Sequence, residues 1–180
     1  MEVAAGSPAS VPPPLADAFV LYGATGDLAA RMVVPALVRA AARRPSLAIV
    51  AVGHDAVDPA VLRARVCQHV ARIDPAQRSG CDALAARIAF VGGDLADPAL
   101  FARVAAALHG ARHPIHFLAV PPAEFEPALE GLARAGLVAG ARVAIEKPFG
   151  HDTASAAALE RVVARTLARA EVFRIDHFLA

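Results

Sequence analysis

The sequence predicts an α/β chain of Rossmann type, a doubly wound, mostly parallel six-stranded sheet with helices on both faces. From Ala18 onward, short β-rich runs alternate with longer segments of helical period, the mark of a parallel sheet covered on both sides. Runs such as LAIVAV are apolar without interruption, which requires burial on both faces. A glycine turn follows the first run directly.

Taken in order, the predicted strands are AFVLY at 18–22, LAIVAVG at 47–53, IAFVG at 88–92, PIHFLAV at 114–120, RVAIE at 142–146 and EVFRI at 171–175. The segments between them carry apolar residues three to four apart: PAVLRARVCQHVARI, PALFARVAAAL, EFEPALEGLARAGL and TASAAALERVVARTLARA. Pro35 lies within the first helical segment and is expected to kink or restart it, because proline lacks the amide hydrogen that a helix interior needs. Strand connections of this kind favour the Rossmann order.

Composition narrows the class further. With 180 residues and 57% apolar content, the chain has material for one domain with a proper core. Arg, Asp or Glu interrupts every long apolar run, so no membrane-spanning helix is expected. A net charge of +1, with arginines scattered along helices, gives no electrostatic case for nucleic acid or an anionic membrane. Cys67 and Cys81 lie 14 apart with no patterned histidines beside them, so neither a zinc site nor a disulfide is expected, and a cytoplasmic setting fits. Residues 1–17, rich in Pro, Ser and Ala, read as a floppy tail rather than a signal peptide, with the dinucleotide-binding domain spanning 18–180.

The turn is Gly23-Ala24-Thr25-Gly26-Asp27-Leu28-Ala29, between the first strand and a helix. Gly23 permits a tight bend, Gly26 lets backbone approach a pyrophosphate, and small Ala29 lets helix and strand pack closely. Amides at the helix start then hold the anion. The second strand ends at Gly53-His54-Asp55, where such folds distinguish NAD from NADP. His54 admits two readings: as a cation it favours a 2′-phosphate, whereas Asp55 beside it favours a ribose hydroxyl.

Of eighteen basic side chains, seventeen are arginine and one, Lys147, is lysine. A compact ammonium at a strand end points to a ligand rather than to solubility, since C-terminal strand ends border the crevice of open α/β sheets. Pro148 after it fixes a backbone angle. The sixth strand leads into Asp176 and His177, a carboxylate and an imidazole at another strand end.

The GATGDLA turn, LAVPP at 118–122, EKPFG at 146–150 and RIDHFLA at 174–180, in this order, resemble the N-terminal domain of the glucose-6-phosphate dehydrogenase family over nearly all of Phe19 to Ala180. The resemblance implies an NAD(P)-dependent oxidoreductase of glucose metabolism, oxidising glucose 6-phosphate to 6-phosphogluconolactone in the pentose phosphate pathway. It implies that Gly23, Ala24, Thr25, Gly26, Asp27 and Leu28 cradle the cofactor pyrophosphate, that Asp94, Val120 and Pro121 lie along the cofactor, and that Lys147 bridges cofactor and sugar. His177 would hold the sugar phosphate, and Asp176 would orient a histidine base that the family carries in a second, larger domain.

Three positions depart from the family pattern. His54 stands where NADP-using members carry arginine, Phe178 replaces a tyrosine, and the pattern continues with a lysine beyond Ala180. The expectation is therefore a domain that binds NADP or NAD, with its substrate domain in the same or a companion chain, and without turnover of its own. A short-chain reductase is excluded by inventory, because Tyr22 is the only tyrosine and no Tyr-x-x-x-Lys pair exists. A stand-alone dinucleotide-binding or partner-binding module is the alternative.

Overall fold

The computed structural model describes residues 14–54, 58–150, 152–167 and 170–175. Six strands form one sheet: β1 (Ala18–Tyr22), β2 (Ala48–Gly53), β3 (Ile88–Gly92), β4 (Pro114–Leu118), β5 (Arg142–Glu146) and β6 (Glu171–Ile175). Their order is β3-β2-β1-β4-β5-β6 and every pairing is parallel, as a doubly wound Rossmann sheet requires. Each strand begins and ends within two residues of the sequence expectation.

Side chains alternate across this sheet, so each strand feeds two cores. Val20, Tyr22, Val50, Val52, Val143 and Ile145 point to a face covered by α4 (Pro98–Ala107), α5 (Phe125–Arg134) and α6 (Thr153–Thr166). Leu21, Ile49, Ala51, Phe117 and Ala144 point to the other, covered by α1 (Val34–Arg43), α2 (Pro59–Ile73) and α3 (Arg78–Ala85). Helix residues such as Leu100, Leu129 and Leu84 are buried against the sheet, each contributing ~1.5–3 kcal/mol of apolar transfer. Gly131 of α5 exists for close approach: a Cβ there would stand 2.0 Å from the Phe101 ring of α4.

Local chemistry sets the helix starts. Asp58, Asp97 and Asp152 cap α2, α4 and α6 by accepting from the Ala60, Ala99 and Ser155 amides, and Ser155 completes a capping box with Asp152. Pro35 restarts its helix as expected. A five-residue π segment, Ala29–Val33, precedes α1, and Pro35 falls in the first turn of α1, where a missing amide hydrogen costs nothing. From 40 to 46 positions away, Arg87 closes the α1–β2 connection by donating to the Ala41, Arg44 and Leu47 carbonyls at 3.4, 3.3 and 2.6 Å.

Two expectations need correction. Cys67 and Cys81 form a disulfide, with Cα atoms 5.5 Å apart. The reason is α3, a short element absent from the sequence reading. A 3₁₀ turn at Pro75–Gln77 folds α3 back along α2, and the 14-residue spacing becomes a contact across a helical hairpin. The floppy tail, in turn, does not extend to residue 17. Ala16 is buried, the Asp17 carboxylate accepts from the Arg112 and His113 amides at 2.7 and 2.9 Å, and Arg44 and Arg142 donate to the Ala16 and Pro14 carbonyls. Those amide bonds hold the Asp17 carboxyl below the usual range despite its burial.

One polar pair lies inside the first core. His116 of β4 is fully buried, its Nδ1 3.2 Å from the Tyr22 hydroxyl and its Nε2 3.1 Å from the Leu137 carbonyl. A carbonyl only accepts, so Nε2 carries the hydrogen and Nδ1 accepts from Tyr22. Burial pushes the Tyr22 hydroxyl up and the His116 imidazole down to about 4, against a backbone bond to Leu137 that acts in the other direction. Among the described residues no helix is long and apolar enough to cross a membrane.

Candidate dinucleotide site

The chain leaves β1 through a bend that only glycine fits. Gly23 has φ +77°, and a Cβ on it would stand 2.2 Å from the Ala119 carbonyl oxygen at the exit of β4. The bend is tied on both sides: the Ala24 amide donates to Val52 at 2.9 Å, the Ala119 amide to Tyr22 at 3.0 Å, and the Gly26 amide closes the turn on Gly23 at 2.9 Å. A Cβ on Gly26 would meet only the Gly23 carbonyl oxygen, at 3.1 Å, so bare backbone faces outward there. Ala29 behind it is fully buried, as close helix–strand packing demands.

Above this turn opens a cavity of about 260 Å³ at the C-terminal edge of the sheet. Of the residues singled out from sequence, Gly23, Thr25, Gly26, His54, Val120 and Pro121 line it. Val52, Gly53, Gly93, Leu95, Ala119 and Glu124 line it too; of these the sequence had marked Gly53, as the end of the second strand, and Ala119, within LAVPP, and had given none of the six a binding role. Gly93 and Leu95 flank Asp94, which does not itself line the cavity. Glu124 enters from the 3₁₀ turn Pro122–Glu124 after β4, and a carboxylate two residues past the Pro-Pro pair was the available signal.

The remaining predicted positions lie elsewhere. Ala24 is buried toward the opposite core, beside Val34 and Leu37. Asp27 is exposed and pairs with Arg31 at 3.1 Å. Leu28 is half-buried at the helix start, and the exposed Asp94 accepts from the Ala96 amide at 2.8 Å. Lys147 is exposed at the end of β5, its amide donating to Ile175 at 3.3 Å, its bond to Pro148 cis, and the buried Glu146 directly before it. Asp176 and His177 lie outside the described residues, as does Asp55.

The strand order arranges these groups in a row. Along β2-β1-β4-β5 come His54, the glycine turn, Val120–Pro121 and Lys147, four strand ends spanning roughly 14 Å at ~4.8 Å per strand. That edge offers an anion-binding turn, a mixed polar and apolar cavity above it that reaches from His54 to Pro121, and a primary amine beyond. Such a row suits an extended ligand with a central diphosphate. Among the described residues no group of three or more His, Cys, Asp or Glu stands close enough to hold a metal ion.

Comparison with known proteins agrees with this geometry. Residues 20–180 match the family model described as glucose-6-phosphate dehydrogenase, NAD binding domain. Glucose-6-phosphate 1-dehydrogenase 1 of Mycobacterium tuberculosis is 36% identical over 164 residues, covering 91% of this chain and 35% of that protein. The glucose-6-phosphate 1-dehydrogenase of Mycolicibacterium smegmatis is 37% identical over 175 residues, covering 89% and 35%. The crystal structure of glucose-6-phosphate 1-dehydrogenase from Mycobacterium avium superposes with a TM-score of 0.81 at 36% identity, covering 91% of this chain and 36% of that one. The chain thus spans about a third of the length of these relatives.

Proposed function

Because the chain belongs to the glucose-6-phosphate dehydrogenase family, as its NAD binding domain, we propose that it serves the oxidation of glucose 6-phosphate to 6-phosphogluconolactone, with NADP or NAD as acceptor. The observation that carries the cofactor part is the Gly23 bend, held so close to Ala119 that no side chain fits, with the bare Gly26 backbone facing the cavity. The bound dinucleotide supplies a hydride acceptor for the sugar's C1. Gly23 to Leu28 hold its diphosphate, the His54 side of the cavity takes adenosine, Asp94, Val120 and Pro121 lie along the cofactor, and Lys147 stands at the other end, where cofactor and sugar meet.

In the same reading His177 binds the sugar phosphate and Asp176 steadies a general base. Asp-to-base pairing is useful here because loss of the hydroxyl proton assists hydride departure and leaves an imidazolium to stabilise. The base and the rest of the sugar pocket come from a further domain, in the same or a companion chain, and the reaction feeds the pentose phosphate pathway.

Calorimetric titration with NADP+ and NAD+ tests the cofactor part. Binding by the chain, abolished in Gly26→Leu with circular dichroism unchanged, is the expected result. Binding of neither dinucleotide would remove the foundation of the reading.

A further inference from the structure

The cavity is bounded at its β2 side by the end of β3. Gly53 pairs with Gly92, and the Gly93 amide donates to the Gly53 carbonyl at 2.9 Å, so the exit loop of β3 lies directly against His54. Onto this point runs Arg103 from the middle of α4. Its guanidinium donates to the Gly92 carbonyl at 3.0 Å, and a Cβ built on Gly93 would stand 2.6 Å from the same nitrogen. Gly93, with φ +152°, keeps the backbone bare and lets the guanidinium lie against it. Helical side chains lean toward their own N-terminus, and α4 begins six residues beyond the end of β3, so Arg103 reaches up to the sheet edge.

The charge inventory makes this placement informative. Among the described residues the cavity lining holds one carboxylate, Glu124, one imidazole, His54, and no lysine or arginine. Arg103 stands just outside that lining, exposed, and one bond to a carbonyl occupies only one of its five N–H donors. A phosphate on the adenosine ribose carries up to two negative charges and presents oxygens that a planar guanidinium matches in pairs, which an ammonium cannot do.

Resting on the reading of the His54 side of this cavity as the adenosine end of the dinucleotide site, we propose that Arg103 is a specificity-determining residue. It holds the 2′-phosphate of NADP from α4, in place of a cation on the loop after β2, and makes the chain prefer NADP+ over NAD+.

The test is calorimetric binding of NADP+, NAD+, 2′,5′-ADP and 5′-AMP to the unaltered chain, Arg103→Ala and Arg103→Lys, at low and high salt. Arg103→Ala is expected to weaken NADP+ and 2′,5′-ADP about tenfold or more, the scale of a charge-assisted hydrogen bond, while NAD+ and 5′-AMP change less than about twofold. Arg103→Lys restores part of the loss, and the NADP+ advantage shrinks with salt. Arg103→Met, which keeps the side-chain stem, carries the comparison if the alanine variant melts below the assay temperature. Equal weakening of both dinucleotides, or an unchanged ratio, overturns the role of Arg103 alone. Failure of every dinucleotide to bind the unaltered chain overturns the cavity reading and this role with it.

Discussion

Replacing His116 by glutamine is expected to remove a pH dependence of stability that one buried imidazole imposes. In the folded chain His116 is neutral, donating to Leu137 and accepting from Tyr22, and burial lowers its value from the ordinary 6.5 to about 4. The unfolded chain therefore binds a proton across that window that the folded chain refuses. Stability from this residue is fully present above pH 6.5, declines as pH falls, and is lost by about pH 4. Each pH unit in the window costs up to about 1.4 kcal/mol, so the full interval costs about 3 kcal/mol. Glutamine offers an acceptor oxygen and two N–H donors, one more than the site uses, and does not titrate; this poorer fit costs about 1–2 kcal/mol at pH 8. Urea unfolding at intervals from pH 8 to pH 4 measures both proteins, and their difference cancels the carboxylates and the other histidines. The gap should close as pH falls and reverse in sign at about pH 5 to 6. A gap independent of pH would show that His116 is not held neutral by burial, and the reasoning fails.

Three further outcomes follow from the structure. Gly131→Ala places a methyl 2.0 Å from the buried Phe101 ring and should destabilise the fold by about 1–3 kcal/mol, read as a lowered urea midpoint; an unchanged midpoint would mean that α4 and α5 part freely. Reducing the Cys67–Cys81 bridge opens a 14-residue loop and should cost about 3 kcal/mol, measured by unfolding with and without dithiothreitol, and a thiol assay on the unreduced chain should find no free cysteine. The 180-residue chain alone should not reduce NADP+ with glucose 6-phosphate at a measurable rate, because loss of a general base alone costs ~10² to 10⁴; turnover that Lys147→Ala abolishes would refute this.

Where a feature depended on local pattern, the sequence made it readable. Strand ends followed from apolar runs bounded by turn residues, and the Pro35 restart followed from one missing amide hydrogen. The Gly23 bend was legible for the same reason, since its fit against Ala119 is demanded by a turn that every such strand exit makes. What escaped depended on tertiary geometry. α3 is one short helix with a glycine inside, RSGCDALA, and its pattern is too brief to stand out. Missing it hid the hairpin, and the hairpin is what joins Cys67 to Cys81. Glu124, Leu95 and Gly93 reach the cavity through loop conformations that no period encodes, and Ala24 turns into the opposite core because residues of a tight bend do not share one direction.

The strand order also sets a timetable for synthesis. β1 emerges from the ribosome first and finds β2 after some thirty residues, since Ala18 pairs with Ala48. Its other edge waits for β4, because Ala18 also pairs with Pro114, and at ~5–20 residues per second that wait is about 5 to 20 s. During that interval the strand that will become the middle of the sheet is an unpaired apolar edge, open to any chain or chaperone that adds a strand. Nascent-chain proteolysis or crosslinking should therefore find the greatest vulnerability between the appearance of β2 and that of β4, and protection once Leu118 clears the exit tunnel.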